Sequence, residues 1–575
     1  MTVLTDTDVD TDAVSAKSVD WHAIDWAKCH EVVRRLQVRI AKAAREGDWR
    51  RVKALQWLLE HSFSAKALAV RRPTENRGKN TPGVDGVTWS TPEAKAQGIQ
   101  DLRRRGYQPQ PLRRVYIPKS NGKLRPLGIP TMTDRAMQAL HLLSLEPVAE
   151  TTADWNSYGF RPERSTHDAI GQLFIVLARK GAPRWVLEGD IKGCFDNISH
   201  DWLLSNVHTD TQILEKWLKA GYVDEGQLFP TNEGTPQGGI ISPTLANLAL
   251  DGIEDLLEKK FGSRSHNDKN KVHFSRYADD FVITGTSKEL LEHEVKPAVR
   301  DFLASRGLAL SEEKTKVTYI EDGFDFLGQN IRKYRLGKPN EVLLIKPSKK
   351  NVETFLEEVR ETIYQLRGAA ASTVIEVLNP KILGWANYHR HVSAKETFSK
   401  VDHAIWHALW QWAKRRHPNK PRRWILRRYF GPKAGRQNVF QGWKIEKNGA
   451  KTLLTLRNAV DVAIVRHTKI RGEAQPFDPK FEEYFEMRLS VKMERSLEGR
   501  RKLLYMWKRQ KGLCPVCGEK ITKITGWHSH HLVPKVNGGS DAVTNLFLLH
   551  PVCHMAHHSN PEMKWRMPVG AEPPA

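Results

Sequence analysis

The sequence is poor in cysteine, has fewer acidic than basic residues and lacks any long hydrophobic run. Five of its 575 residues are cysteines, an odd number that argues against a disulfide framework and for a reducing compartment. No stretch of about 18 consecutive apolar residues is present, so we expect no membrane span. The N-terminal stretch MTVLTDTDVDTDAVS is acidic and has no apolar segment, which excludes a signal or transit peptide. Residues 1–20 are therefore predicted to be a disordered leader.

The charge is strongly one-sided. The chain has 90 Lys and Arg against 66 Asp and Glu, a net charge of +24. Such an excess favours a polyanionic partner, nucleic acid first and an anionic membrane surface second, and the alternative is a basic surface without a partner. The hydrophobic content of 40% and the charged content of 27% are ordinary for a folded protein. The length predicts several domains.

Periodicity and turn residues give a coarse map of the chain. Residues 21–70 have helical spacing, with an apolar stripe of Val32, Leu36, Ile40 and Ala43 and a second helix over Trp49–His61. Residues 112–117 and 124–129 are strand-like on either side of an Asn-Gly turn, which predicts a hairpin. Strands and helices alternate from about 130 to 330, with an apolar helix over 245–257. Residues 345–430 are mostly helical.

Two segments place carboxylates where a strand ends. An apolar run over 185–190 ends in Asp190, and Asp279 and Asp280 occupy the predicted turn between two short strands. Nucleotidyl transfer uses two divalent ions roughly 4 Å apart, and hard ions such as Mg²⁺ prefer carboxylate ligands. An Asp-Asp pair by itself is usually an exposed turn. The glycine-rich loop over 234–243 lies between the two segments, and its backbone and Gln237 are suited to approach a nucleotide.

The order of these motifs resembles that of reverse transcriptases, and in particular the proteins encoded by group II introns. The motifs extend over about residues 75–330, and they are LRPLGIP at 124–130, YGFRP at 158–162, Asp190 with Phe195, PQGG at 236–239, YADD at 277–280, Lys314 and FLG at 326–328. The resemblance implies right-hand polymerase fingers and palm, with Asp190, Asp279 and Asp280 holding two Mg²⁺ ions. It also implies that the backbone carbonyl of Ile191 is an additional metal ligand.

The same resemblance assigns nucleotide-binding residues. Phe195 would lie under the incoming sugar, where a bulky ring excludes a 2′-hydroxyl, so the product would be DNA. Arg125 and Lys119 would bind the triphosphate, since a guanidinium group fits phosphate oxygens. Gln237 would bind the dNTP, and Lys314 would donate a proton to the leaving pyrophosphate.

The helical region after these motifs carries a further resemblance. The segment LGWANY at 383–388 resembles the maturase region, or thumb, of group II intron proteins, which binds the intron RNA. Trp406, Leu409, Trp410 and Ala413 share one helical face, and the simplest interpretation is core packing. A basic cluster, whose members are either phosphate contacts or a solvated face, consists of Lys414, Arg415, Arg416, Lys420, Arg422, Arg423, Arg427 and Arg428.

The C-terminal region is rich in Cys and His. Two half-sites, CxxC and HxxC, suit one tetrahedral Zn²⁺, and they supply Cys514, Cys517, His550 and Cys553. The region resembles the ββα-metal module of HNH nucleases, although many relatives have Cys where this chain has His550. The resemblance implies that His530, His554 and His558 bind one Mg²⁺-class ion. It further implies that His531 is the general base and that Asn545 orients His531 or fixes the loop. The alternative is a purely structural zinc finger.

The combined expectation is a multidomain protein with mixed α/β and all-α parts. Its predicted segments are the leader (1–20), a helical RNA-binding extension (21–85), fingers and palm (86–335), thumb or maturase domain (336–430), DNA-binding region (431–502) and HNH endonuclease with zinc knuckle (503–565). The predicted function is to copy intron RNA, assist its splicing and nick target double-stranded DNA to make the primer, in a bacterial cytoplasm or nucleoid, or in an organelle. The alternatives are a splicing-only maturase and an immunity-type reverse transcriptase with an appended nuclease.

Overall fold

The structure is a computed structural model that contains both helices and strands, with runs of consecutive helices over 26–101 and 349–429. It describes residues 19–118, 122, 124–235, 237–262, 269–335, 341–446, 449–485, 487–488, 501–522, 525–533, 542–559 and 565. The predicted leader, apart from its last two residues, and the predicted nucleotide ligand Lys119 lie outside the described residues. No helix in the described ranges combines the length and the apolar character needed to cross a membrane.

The element bounds, in chain order, are as follows. The N-terminal part forms α1 (Trp26–Arg45), α2 (Trp49–His61), α3 (Phe63–Glu75), α4 (Pro92–Asp101), β1 (Leu112–Pro118), β2 (Leu124–Ile129) and α5 (Met132–Thr152). Next come α6 (Thr166–Leu177), β3 (Trp185–Asp190), α7 (Cys194–Asn197), α8 (His200–Asn206), α9 (Thr211–Leu218), β4 (Tyr222–Asp224), β5 (Gln227–Phe229), α10 (Ser242–Leu250) and α11 (Ile253–Phe261).

The C-terminal half continues the series. It forms β6 (Phe274–Tyr277), β7 (Asp280–Gly285), a π-helical turn (Leu290–Val295), α12 (Lys296–Ala304), β8 (Lys316–Tyr319), β9 (Phe324–Phe326), β10 (Gln329–Arg335) and β11 (Glu341–Pro347). It then forms α13 (Lys349–Gln365), α14 (Ala371–His389), α15 (Lys395–Arg416), α16 (Arg422–Tyr429), β12 (Phe430–Lys433), β13 (Arg436–Ile445), β14 (Lys451–Thr455), α17 (Arg501–Arg509), β15 (His528–His531), β16 (Leu546–Leu549) and α18 (Pro551–Ser559).

Contacts divide the chain into two compact units. The first comprises Met1–Ala153, Gly193–Leu250 and Glu473–Ala575, and the second comprises Asp154–Lys192 and Asp251–Gly472. In the first unit, α1, α2 and α3 pack on α5. The three N-terminal helices begin at side-chain caps, where Asp25, Asp48 and Ser62 each accept a backbone N–H, and such caps stabilise a helix start. The predicted stripe of α1 is partly right, since Ile40 and Ala43 are buried while Val32 and Leu36 are only half-buried.

The predicted hairpin is confirmed, and one predicted helix is wrong. Strands β1 and β2 pair antiparallel within a sheet of order β2-β1-β4-β5. The single helix expected over 245–257 is instead two helices, because α10 ends at Leu250 and α11 begins at Ile253. Gly252 has a φ of +100°, a left-handed conformation that ends a helix and that favours glycine.

The second unit contains a central sheet and the predicted helical region. The sheet has the order β6-β7-β3-β8, and helices α13 to α16 occupy 349–429 as expected. Leu409 and Ala413 are buried, whereas Trp406 and Trp410 are half-buried and stack on each other with ring centroids 5.9 Å apart. The core-packing prediction is therefore right for Leu409 and Ala413 and only partly right for the two tryptophans.

Candidate active sites

Strands β3, β6 and β7 bring three carboxylates together. Asp190 is the last residue of β3, Asp279 lies in the turn between β6 and β7, and Asp280 is the first residue of β7. The antiparallel register places Asp190 directly opposite Asp280. Directly opposed residues of an antiparallel pair point to the same face of the sheet, so the two carboxylates face each other. The prediction that both Asp279 and Asp280 occupy the turn is thus wrong for Asp280.

The electrostatics of this site favour a cation. Burial raises the pKa of Asp280 to about 6, and the nearby carboxylates of Asp279 and Asp190 contribute in the same direction. Lys314 opposes this shift, since its Nζ donates to Asp190 Oδ2 at 2.7 Å. The hydrogen bond to Asp190 raises the pKa of Lys314 in turn. The carboxylate oxygens form a donor set that hard divalent ions fit, and the Lys314 amine occupies one of them as a hydrogen-bond donor.

Backbone hydrogen bonds fix the end of β3. The Asp190 carbonyl accepts from the Ser311 N–H at 2.8 Å, and the Lys192 N–H donates to the Ala309 carbonyl at 2.9 Å. Ile191, whose carbonyl is the predicted extra ligand, lies between these two bonds and has a buried side chain. The segment that follows Ala309 also carries Lys314, so the same bonds bring its amine to Asp190.

A second segment supports the turn that holds Asp279. The Tyr158 N–H donates to the Arg276 carbonyl at 2.9 Å, and the Arg276 N–H donates to the Asn156 carbonyl at 2.9 Å, so residues 156–158 lie along the free edge of β6. Gly159 is required beside the turn, because a Cβ there would lie 2.3 Å from the Ala278 nitrogen. Sequence reasoning identified YGFRP as a motif but missed this contact.

A buried arginine also holds the turn. Arg276 is fully buried, forms an ion pair with Asp251 and donates from Nη1 to the Ala278 carbonyl at 3.3 Å. Ala278 has a φ of +58°, which a residue with a Cβ adopts only when its surroundings hold it there. The turn is therefore held in place from the hairpin itself and from the neighbouring segment.

The first unit contains three of the predicted nucleotide ligands, Arg125, Phe195 and Gln237, in neighbouring segments. The Thr235 N–H donates to the Phe195 carbonyl at 2.6 Å, and the Gly128 N–H donates to the Gln237 carbonyl at 2.7 Å. The glycine-rich loop thus connects the Phe195 turn to β2, on which Arg125 is exposed.

Gln237 has a side-chain partner that sequence reasoning missed. Its Nε2 donates to both carboxylate oxygens of Asp196, at 3.0 and 3.1 Å. The amide nitrogen therefore faces Asp196, which leaves the carbonyl oxygen Oε1 directed elsewhere as an acceptor. The signal in the sequence was that Asp196 directly follows the predicted nucleotide ligand Phe195.

The four predicted zinc ligands lie together in the first unit. Cys514, Cys517, His550 and Cys553 are all buried, with ligand atoms within 4.8 Å of one another. His550 Nε2 lies 3.1 Å from the Lys520 carbonyl, so an Nε2–H can donate there and leave Nδ1 for a metal. Burial acts to lower the pKa of His550, but hydrogen bonds to Cys514 and Cys517 raise it to about 10. Without a metal, the four side chains share protons through these hydrogen bonds. A Zn²⁺ ion with four ligands would replace those protons.

The predicted nuclease ligands also converge. His530 on β15 and His554 and His558 on α18 have ligand nitrogens within 4.8 Å of one another. Burial, with neighbouring His557 and His554, lowers the pKa of His530 to about 4, so this imidazole stays neutral, the form that binds metals. His557 and His528 belong to the same cluster, with ring centroids 4.8 Å from His530 and 5.2 Å from His554 respectively. Sequence reasoning missed both.

Asn545 and His531 lie beside this cluster. Asn545 Oδ1 accepts from the Val533 N–H at 2.9 Å, and its Nδ2 donates to the Val533 carbonyl at 3.1 Å, so it fixes the chain that leaves β15. His531 directly follows His530 and is the last residue of β15. The pair β15–β16 with α18 forms the small module.

Comparisons with known families match four stretches of the chain. The matching descriptions are the N-terminal domain of reverse transcriptase (residues 21–102), reverse transcriptase (RNA-dependent DNA polymerase) (117–331), the group II intron maturase-specific domain (352–430) and HNH endonuclease (514–560). Protein YkfC of Escherichia coli is 38% identical over 49% of this chain and 81% of its own length. The chain belongs to the group II intron-encoded proteins.

The domain matches identify the chain as a reverse transcriptase and HNH endonuclease with a maturase domain. The group II intron-encoded protein LtrA of Lactococcus lactis is 35% identical over 46% of this chain and 54% of LtrA, so the match spans about half of that relative. Maturase-like protein 1 of Euglena gracilis is 25% identical over 64% of this chain and 76% of its own length. The multidomain mixture of helix and sheet predicted from the sequence is confirmed.

Proposed function

We propose that this chain serves a mobile group II intron by three linked activities. It binds the intron RNA and assists splicing, nicks one strand of target DNA, and extends the resulting 3′-hydroxyl by copying the RNA. The observation that carries the polymerase assignment is the register that sets Asp190 opposite Asp280, with Asp279 in the adjoining turn. In this proposal the β2-β1-β4-β5 sheet belongs to the fingers, the β6-β7-β3-β8 sheet to the palm, and α13 to α16 to the thumb or maturase domain.

The three aspartates, with the Ile191 carbonyl, would hold two Mg²⁺ ions. Bound there, such ions lower the pKa of the primer hydroxyl and bind the triphosphate oxygens. Lys314 would leave Asp190 to the metal and donate a proton to the departing pyrophosphate.

The nucleotide-binding roles are assigned by position in the motifs. Phe195 would pack under the sugar and exclude a 2′-hydroxyl. Gln237 would accept a hydrogen bond from the dNTP through Oε1, because its Nε2 already donates to the Asp196 carboxylate. Arg125 and Lys119 would bind the triphosphate.

The basic cluster after the palm supports intron RNA binding. All eight basic residues over 414–428 are exposed, at the end of α15, in the turn that follows it and on α16. Exposed Lys and Arg in one cluster bind phosphates by releasing counterions, so this contact should weaken as salt rises. Target DNA would be bound by the region 431–502 in a cytoplasmic ribonucleoprotein.

The C-terminal module would make the nick. His530, His554 and His558 would hold one divalent ion, and His531 would take a proton from the attacking water as general base. Asn545 would keep the His530–His531 strand in place through its two bonds to Val533. Zn²⁺ on Cys514, Cys517, His550 and Cys553 would be structural.

Primer extension on poly(rA)/oligo(dT) with Mg²⁺ tests the polymerase assignment. We expect Asp279→Ala to reduce extension by at least about 1,000-fold, because it removes a ligand of the Mg²⁺ ions that would stabilise the negative charge of the transition state. Asp322→Ala is the matched control, since Asp322 is an exposed carboxylate of the same unit. Wild-type extension no greater than that of Asp279→Ala would contradict the assignment.

A further inference from the structure

Residues 462–472 follow the last strand of the second unit and form neither helix nor strand. They are nevertheless fixed to the same unit along their length. The Val465 N–H donates to the Arg390 carbonyl at 2.9 Å, Ile470 is fully buried, and the Gly472 carbonyl accepts from Arg164 Nη2 at 2.9 Å. A plain linker would have no need of such contacts.

The firmest anchor is the carboxylate of Asp168, which is fully buried. One oxygen accepts from His467 Nε2 and from the Ile470 N–H, each at 2.8 Å, and the other accepts from Ser165 Oγ at 2.7 Å. A buried carboxylate is tolerated only when donors replace its water. Two of these three donors belong to the irregular segment, so the environment of Asp168 depends on the segment being in place.

A second contact leads from the segment to the polymerase turn. Lys469 Nζ lies 3.5 Å from the Tyr158 hydroxyl, and Tyr158 is buried, donating from its hydroxyl to Asn156 Oδ1 at 2.8 Å. Residues 156–158 are the ones that pair with β6, and Gly159 lies against Ala278. Only Tyr158 and its neighbours therefore separate the segment from the turn that carries Asp279.

The position of β6 makes this contact important. It is the edge strand of the β6-β7-β3-β8 sheet, so β7 holds it on one side and residues 156–158 cover the other. An edge strand has unpaired backbone groups and relies on whatever covers it. The neighbouring Ala278 has a positive φ, which its surroundings must maintain.

We propose that residues 465–470 are a brace that positions the Asp279 turn for polymerisation, with His467 and Lys469 as its positioning residues. The brace rests on the proposed polymerase function of the three aspartates. It acts through Asp168 and Tyr158 and does not touch the reacting atoms. Part of the region predicted from the sequence to bind DNA, 431–502, thereby belongs functionally to the polymerase.

The test uses the full-length chain in primer extension with varied dNTP and Mg²⁺. We expect His467→Ala to lower kcat about tenfold and to raise the half-saturating Mg²⁺ concentration about threefold, because a displaced turn misplaces a metal ligand. KM for dNTP should change less than about twofold, since the nucleotide ligands lie in other segments. His467→Gln should recover most of the loss, because its amide N–H can still donate to Asp168.

Two further variants guard against simple unfolding. Lys469→Met removes the hydrogen bond to Tyr158 and keeps the donors to Asp168, so it should give a smaller shift of the same kind. His403→Ala is the matched control, an exposed imidazole of the same unit. Normal kcat and Mg²⁺ dependence in both His467→Ala and Lys469→Met would overturn the brace, as would failure of His467→Gln to recover activity in a variant that melts like wild type. If the wild type is no more active than Asp279→Ala, the proposed polymerase function fails and the brace fails with it.

Discussion

The two candidate catalytic metal centres differ in how protons affect them when no metal is bound. The polymerase site gathers acids, and burial with mutual repulsion raises the pKa of Asp280 to about 6 while Lys314 pairs with Asp190. The nuclease site gathers imidazoles, and burial lowers the pKa of His530 to about 4. A proton competes with metal near neutral pH at the first site, whereas His530 of the second is already in its metal-binding form. The difference implies that acid should separate the two centres.

Among the changes that should separate the two centres, the largest effect is expected from breaking the predicted zinc cluster beside the nuclease ligands. Cys514 and Cys517 are part of the buried core that includes Met506 and Leu548. At such a structural site, the free energy of metal binding contributes directly to the free energy of folding. We expect Cys517→Ser to reduce nicking of supercoiled DNA by at least about 100-fold while primer extension stays within about twofold of wild type.

Cys29→Ala provides the control, since Cys29 is a buried thiol outside the cluster. It should retain nicking, and zinc content measured by mass spectrometry should fall only in Cys517→Ser. Full nicking activity in a Cys517→Ser protein that has lost its zinc would contradict the prediction that the nuclease depends on the zinc cluster.

A shift in pH should give an effect of about tenfold. At pH 5 a carboxyl group with a pKa of about 6 is about one-tenth ionised, so metal affinity at the polymerase site should fall about tenfold from its value at pH 7.5. His530, with a pKa of about 4, stays about nine-tenths neutral at pH 5 and should cost its site little affinity. Calorimetric titration with Mn²⁺ measures this in two variants, Asp190→Ala/Asp279→Ala and His530→Ala/His554→Ala, which each retain one centre.

Protonation of Asp280 itself does not destabilise the fold at pH 5. The folded chain holds the Asp280 proton more tightly than the unfolded chain does, because its folded pKa is raised. This contribution to stability is full at low pH and is lost as the pH rises through about 6. Protonation of Asp280 at low pH therefore stabilises the folded, metal-free site relative to the unfolded chain. Equal pH dependence of Mn²⁺ affinity at both centres would contradict the comparison.

Local signals in the sequence predicted many of the candidate site residues that the structure brings together. The short strands around Asp279, the CxxC and HxxC half-sites and the helix over Trp49–His61 all depend on residues near one another in the chain. The break between α10 and α11 was also within reach, because Asp251-Gly252 is a turn signal inside an apolar run. There the apolar periodicity was given too much weight.

Long-range pairings could not be predicted in the same way. Nothing in a single sequence fixes Asp190 opposite Asp280, or sets Tyr158 along the edge of β6, because strand register depends on the assembled sheet. The bond between His467 and Asp168 joins residues still farther apart. His557 was missed for another reason: it is one of several histidines on α18, and spacing alone did not show which of them face His530.

The smallest expected effect concerns the amine that distinguishes the polymerase site. Lys314 lowers the pKa of Asp280, so Lys314→Met should raise it and move the pH midpoint of Mn²⁺ affinity upward by about half a pH unit, the size expected for a largely exposed ion pair. Above pH 8, where Asp280 is ionised in both proteins, Lys314→Met should bind Mn²⁺ at least as tightly as wild type, since Asp190 no longer pairs with the amine. Lys316→Met is the matched control, because Lys316 is an exposed lysine that pairs with the half-buried Glu188 at 3.5 Å in the same sheet. If both variants keep the wild-type midpoint, repulsion among the carboxylates alone sets the pH dependence, and Lys314 has no part in the contrast between the two centres.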